Sequence, residues 1–132
     1  MRACETSATS DGASVGVTLS RYAEGALQPS WWATCFLGSQ SGATQATPTC
    51  TDIVYQKFPA AAPVAFATWH ELALTPDLAA KKVRFSVDGR AIGELPLPAD
   101  AADAKSRWFV SLVGWSQNGQ PVEGDFDDVV IE

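Results

Sequence analysis

The sequence predicts an all-β domain of two antiparallel sheets packed face to face, and three observations predict it. Apolar and polar residues alternate over short runs, Gly, Pro, Asn and Asp punctuate those runs, and only Pro98 to Ser106 has helical propensity, enough for a turn or two. A chain of 132 residues that is 46% hydrophobic, with five Trp and six Phe, fills one substantial core.

Met1 to Gly12 carry no periodicity and are expected to be a flexible lead-in, with a single sandwich domain over residues 13–132. Val15, Val17 and Leu19 share one face of a first half-buried strand, with Gly16, Thr18 and Ser20 on the other. Trp31 to Leu37 is apolar on both faces apart from Thr34, which suits a more central strand. A Gln/Ser/Thr-rich loop follows, too long for a simple hairpin turn, and Ile53 to Phe58 reads as the third strand. Beyond a Pro/Ala-rich connection, Thr68 to Asp77 aligns Leu72 and Leu74 and is expected to end at Pro76.

The clearest local signal comes next. Val83, Phe85 and Val87 alternate with Lys82, Arg84 and Ser86 and run into Asp88-Gly89, a favoured two-residue hairpin turn. On the return strand Ile92 has one parity and Leu95 and Leu97 the other, a slip that a bulge at Gly93 repairs. Arg107 to Trp115 is apolar on both faces, as expected in mid-sheet, and Asp125 to Glu132 closes the chain.

Charge narrows the partners. Fifteen acids against nine scattered bases give a net charge of −6, which repels phosphate backbones and argues against nucleic acid and anionic lipid. No run approaches the roughly 20 apolar residues of a bilayer span, so no membrane insertion is expected, and no secretory leader is visible after Met1-Arg2. The chain then reads as cytoplasmic, or as a piece of a secreted protein joined to other domains.

Cys35 and Cys50 flank the polar loop at a spacing suited to a disulfide that staples it, the alternative being two reduced thiols; Cys4 is left over. With no CxxC and a single histidine, metal binding by the cysteines is not expected. His70, in an alternating strand with no Gly-x-Ser-x-Gly elbow elsewhere, is expected to point outward.

From Trp69 onward the chain resembles the concanavalin A-like lectin/glucanase superfamily, a jelly roll that includes laminin G-like domains. The resemblance rests on an ordered set: Trp69, Leu72 and Leu74, Val83-Arg-Phe-Ser-Val-Asp-Gly89, Ile92-Gly93, a strand from Phe109 to Val113, and Phe126-Asp-Asp-Val-Val-Ile131. It implies a concanavalin A-like two-sheet jelly roll for the last half of the chain and is compatible with residues 13–67. Carbohydrate-binding jelly rolls of a different topology share the terminal Asp-Asp-Val.

Glucan-cleaving members carry paired carboxylates on one strand, and a retaining pair stands about 5 Å apart. The nearest candidates here, Glu123, Asp125 and Asp127, or Asp127 and Glu132, break that order: Glu123 precedes the strand, and Asp127 and Glu132 have opposite parity. No enzyme is therefore expected. By resemblance, Asp127 and Asp128 are the expected ligands of a structural calcium ion, with a capped turn and a solvated acid as the alternative.

Flat aromatic faces stack on sugar rings, so a glycan or polysaccharide is the leading partner, with Trp31, Trp32 and Trp115 as candidate platforms and Gln117 and Asn118 (with Gln120) as hydrogen-bonding partners. At least one of Trp31 and Trp32 must leave the core, while Trp69 and Trp108 are assigned to structure. The expectation is a noncatalytic lectin-like or accessory module, extracellular or on a cell surface. A structural or protein-interaction module of a larger protein is the alternative, and a glycoside hydrolase is third.

Overall fold

The computed structural model describes residues 2–8, 13–38, 43–54, 62–66, 68–116 and 124–127. Among them the strands in chain order are β1 (Arg2–Ala8), β2 (Ala13–Tyr22), β3 (Trp31–Gly38), β4 (Gln45–Asp52), β5 (Val64–Ala65), β6 (His70–Asp77), β7 (Lys82–Val87), β8 (Arg90–Pro96), β9 (Arg107–Ser116) and β10 (Gly124–Asp127). No helix occurs among the described residues. The strands make two antiparallel sheets, ordered β10-β1-β6-β7-β8 and β5-β4-β3-β2-β9.

One apolar cluster joins the facing sides, with Val15, Val17, Leu19, Ala33 and Leu37 from one sheet against Leu72, Leu74, Val83, Phe85 and Leu95 from the other. The domain is thus an all-β sandwich, each sheet burying the face the other needs covered.

The β7–β8 hairpin forms as its residues dictate. Val83 and Phe85 are 0% exposed, and Asp88 (φ 50°) and Gly89 (φ 72°) both take the left-handed conformation that a tight two-residue turn requires. Phe85 pairs with Gly93 but Ser86 with Ala91, so Ile92 is the extra residue and the bulge sits beside Gly93. That slip restores Leu95 and Leu97 to the core.

The outward side of this hairpin is charged. Lys82 Nζ donates to Glu94 Oε2 at 2.8 Å and Arg84 Nε to Glu94 Oε1 at 3.0 Å. These hydrogen bonds, Lys82 first, hold the Glu94 carboxyl below the usual carboxylate range. A lowered folded value means that the contribution is complete above the unfolded glutamate pKa and is lost as pH falls through the folded one. In an NMR titration Glu94 is expected to protonate below an ordinary glutamate, and Lys82→Met to move its midpoint up; an unmoved midpoint would contradict the pairing.

The structure departs from the sequence expectations at several points, beginning with the first residues. Residues 2–8, expected to be a flexible lead-in, form β1 between β10 and β6, with Thr6 opposite both Phe126 and His70. Nothing local marks this strand, because its partners lie far along the chain.

The strand that follows β3 is β4, Gln45–Asp52, a segment expected to be loop; of the strand expected over Ile53 to Phe58, Ile53 and Val54 form an exposed turn, and residues 55–58 lie outside the described set. The inward positions of β4 hold Ala46, Pro48, Cys50 and Asp52, all buried, so a strand with small, proline and polar residues facing the core reads as loop. Asp52 Oδ1 accepts from the Val54 amide at 3.1 Å and ends it.

β6 runs through Pro76, which stands opposite Val83, to Asp77. Finally, His70 is buried rather than outward: Nδ1 lies 2.9 Å from Asp88 Oδ2 and Nε2 lies 3.1 Å from the Ala65 carbonyl. Both neighbours are acceptors, so each contact is a hydrogen bond only while the facing ring nitrogen carries a proton. Asp88 Oδ1 also accepts from the Glu71 amide at 3.0 Å, tying the β7–β8 turn to the start of β6.

Candidate functional site

The two outer faces of the sandwich differ. One carries Asp77, Lys82, Arg84 and Glu94 in ion pairs. The other, on β4-β3-β2-β9, is a field of rings and hydroxyls arranged in cross-strand rows, with Arg107, opposite Tyr22 at one end, as its charge among the described residues.

In the first row Trp32 lies opposite Ser20 and Ser20 opposite Phe109; in the second Thr34, Thr18 and Ser111 stand side by side. The third places Phe36, Gly16 and Val113 together, and the fourth Gly38, Ser14 and Trp115. Rows one and four are six residues apart on β2, about 20 Å at ~3.3 Å per residue. Aromatic groups therefore stand at both ends of the face, with hydroxyls between them. The Thr18 and Thr34 hydroxyls hydrogen-bond each other at 2.6 Å, and Thr49 and Thr51 extend the hydroxyl field on β4.

Glycine makes one of these pairs feasible. A Cβ on Gly16 would lie 2.6 Å from both Cα and Cβ of Phe36 and would also strike the Cys35 carbonyl, so only glycine lets β3 approach β2 so closely. The Phe36 ring packs edge-on against Trp115, with centroids 4.8 Å apart and planes at 70°.

At the other end, Tyr22, Ala26, Leu27, Arg107 and Phe109 line an open cavity of about 290 Å³. Tyr22 and Phe109 pack edge to face at 5.1 Å, and Phe109 and Leu27 are 48% and 92% exposed.

The strands that carry this groove are anchored from inside. Arg21, next to Tyr22 but facing inward, is buried; its guanidinium reaches Ser30 Oγ (2.9 Å), Ser106 Oγ (2.6 Å), the Asp100 carbonyl (3.0 Å) and Asp100 Oδ2 (2.7 Å). Ser106 precedes Arg107, so one buried side chain ties the end of β2 to the start of β9. The successive turns that lead from β8 into β9 are closed by hydrogen bonds that the amides of Ala101, Asp103 and Ser106 donate to the carbonyls of Pro98 (2.9 Å), Asp100 (3.0 Å) and Asp103 (2.9 Å).

Of the sequence-predicted ligand residues, the structure brings Trp32 and Trp115 to this face and sends Trp31 to the core, where it meets Trp108 edge to face at 6.0 Å. Alternation of one residue decides that split. Trp69, assigned to structure, stands exposed just before β6. Gln117 and Asn118 lie outside the described residues, as do Asp128 and the side chain of Asp127, whose backbone pairs with Glu5.

Sequence reasoning missed Tyr22, Leu27, Phe36, Arg107 and Phe109. The parity of β2 could have found Tyr22, whereas β9 was expected in mid-sheet and proves to be the edge strand among the described residues. Apolar residues on both faces cannot distinguish a covered strand from an edge that presents them to a partner.

The fold and this face define a class, a two-sheet β-sandwich with one aromatic, hydroxyl-bearing outer surface. No family model, curated protein or solved structure matches the chain.

Proposed function

We propose that the domain is a noncatalytic carbohydrate-binding module that presents the β4-β3-β2-β9 face to a glycan. The observation that carries this reading is an outer sheet surface on which exposed and half-buried rings alternate with hydroxyls and, among the described residues, no acidic side chain stands in the rows, in a chain of net charge −6. Rings supply flat apolar faces for sugar C–H surfaces, and Thr18, Thr49, Thr51 and Ser111 supply donors and acceptors for sugar hydroxyls. Recognition in this reading runs through the described strands alone. A setting outside the cytoplasm accords with the Cys35–Cys50 disulfide, which persists in oxidising surroundings.

A glycan array probed with and without calcium tests the proposal and separates any contribution of an ion at Asp127 and Asp128. A ring contact contributes about 0.5–1.5 kcal/mol, so Trp115→Ala is expected to weaken binding by up to about tenfold. Absence of binding to every glycan, or binding indifferent to Trp115→Ala, removes the assignment.

One observation favours a second reading, a protein-interaction module. Among the described residues β9 is a ten-residue edge strand that exposes Phe109, Leu112 and Trp115 and bears a single charge, Arg107. Natural edges are commonly blunted by charge, so an apolar one invites strand addition. If that is its role, sedimentation shows association that Leu112→Lys abolishes, whereas a monomer at every concentration that accepts no strand contradicts it.

A further inference from the structure

We infer that the groove between the end of β2 and the start of β9 binds the carboxylate of an acidic sugar, a six-membered ring bearing a uronate group. The inference rests on the carbohydrate-binding reading and names the chemistry of its ligand.

The groove offers an apolar corner beside one cation. Tyr22 and Phe109 form the corner, Leu27 also lines it, and Arg107, directly opposite Tyr22 in the strand register, supplies the charge. Arg107 has no ion pair among the described residues, in contrast to Arg21, Lys82, Arg84 and Lys105. Lys81 and Arg90 are also without one, but neither lines the groove.

Two acids on the adjoining turns, Glu24 and Asp100, are already engaged. Glu24, on the turn that supplies Ala26 and Leu27, pairs with Lys105 at 3.1 Å, and Asp100 pairs with Arg21 at 2.7 Å. An incoming carboxylate thus meets a guanidinium whose own neighbours do not compete for it. Guanidinium presents a planar fork of donors that matches a carboxylate in two parallel hydrogen bonds.

Size agrees with one ring. The cavity of about 290 Å³ is at the lower end of the roughly 300–1,000 Å³ of small-molecule sites, so it accommodates one sugar of a longer chain. The rest of that chain would continue over Trp32 and the hydroxyl rows.

Galacturonate and galactose oligosaccharides differ only in the C6 carboxylate and make the test. By calorimetry the acidic oligosaccharide is expected to bind at least about tenfold more tightly, as for a hydrogen bond to a charged group, and the preference is expected to shrink with added salt. Arg107→Gln should collapse the acidic-to-neutral ratio towards one. Arg107→Lys should keep part of it, and Arg84→Gln, on the opposite face, should leave it unchanged. Near-UV circular dichroism matching wild type establishes that each variant is folded.

A ratio near one in the wild type, or a ratio that survives Arg107→Gln, overturns the acidic-sugar inference while leaving carbohydrate binding in place. Binding of neither oligosaccharide, nor of any other glycan, removes both.

Discussion

Replacing Arg21 with alanine is expected to lower the stability of the domain by about 3 kcal/mol in urea unfolding, the range of large-to-small changes in a core. Arg21 is among the largest fully buried side chains and stands opposite Trp31 and Trp108 on the inner face. Truncation opens a cavity beneath both rings and strips Ser30 and Ser106 of their shared partner.

The charge itself is a separate matter. Asp100 is 62% exposed, so losing Arg21 strands no buried carboxylate, whereas Asp100→Asn leaves the guanidinium buried with only neutral acceptors. The asparagine variant is therefore expected to cost about 1–2 kcal/mol, less than the alanine. Arg21→Met, which keeps much of the volume, isolates packing from charge. If it equals wild type, the network positions the turns rather than stabilising them. An Arg21→Ala variant within about 0.5 kcal/mol of wild type would show that the interior does not depend on this residue. The same variant should also weaken sugar binding, because the strand ends that carry Tyr22 and Arg107 lose their common anchor.

The second large effect is expected at the disulfide. Cys35 and Cys50 face each other across β3 and β4, with Cα atoms 4.2 Å apart, and their bond closes a loop of sequence separation 15. Such a closure removes enough unfolded-state entropy to stabilise the fold by about 3 kcal/mol, so Cys35→Ala with Cys50→Ala should lower the unfolding midpoint accordingly. Both sulfurs are buried, so neither cysteine is expected to react with a thiol reagent in the native protein before reduction. Immediate labelling of both would contradict the bond.

Local chemistry made much of this protein legible from its residues. The Lys82–Val87 alternation, the Asp88-Gly89 turn and the phase slip at Ile92-Gly93 each depend on a few neighbouring side chains, and each has its expected counterpart in the structure. The Val15, Val17 and Leu19 face of β2 and the two-sided apolar run of β3 are likewise properties of short segments. Cysteine spacing pointed to the bond that joins β3 and β4.

β1 and β4 were not legible, because Arg2–Ala8 and Gln45–Asp52 are strands by virtue of hydrogen bonds to partners that no local pattern names. The candidate face was half legible. That one of two adjacent tryptophans must point outward follows from strand geometry, but that it is Trp32 depends on which side of β3 the second sheet covers.

By itself, then, the amino-acid sequence determined the all-β class, the hairpin and the inward faces of β2 and β7, since those arise from side-chain period and turn conformation within short segments, and its cysteine spacing pointed to the disulfide. Only the tertiary structure decided that β9 lies at an edge among the described residues, that Arg21 is sealed inside, and that Tyr22, Phe109 and Arg107 meet in one groove. Strand neighbours are chosen by long-range pairing, and exposure is settled only when a second sheet covers one face and leaves the other to solvent.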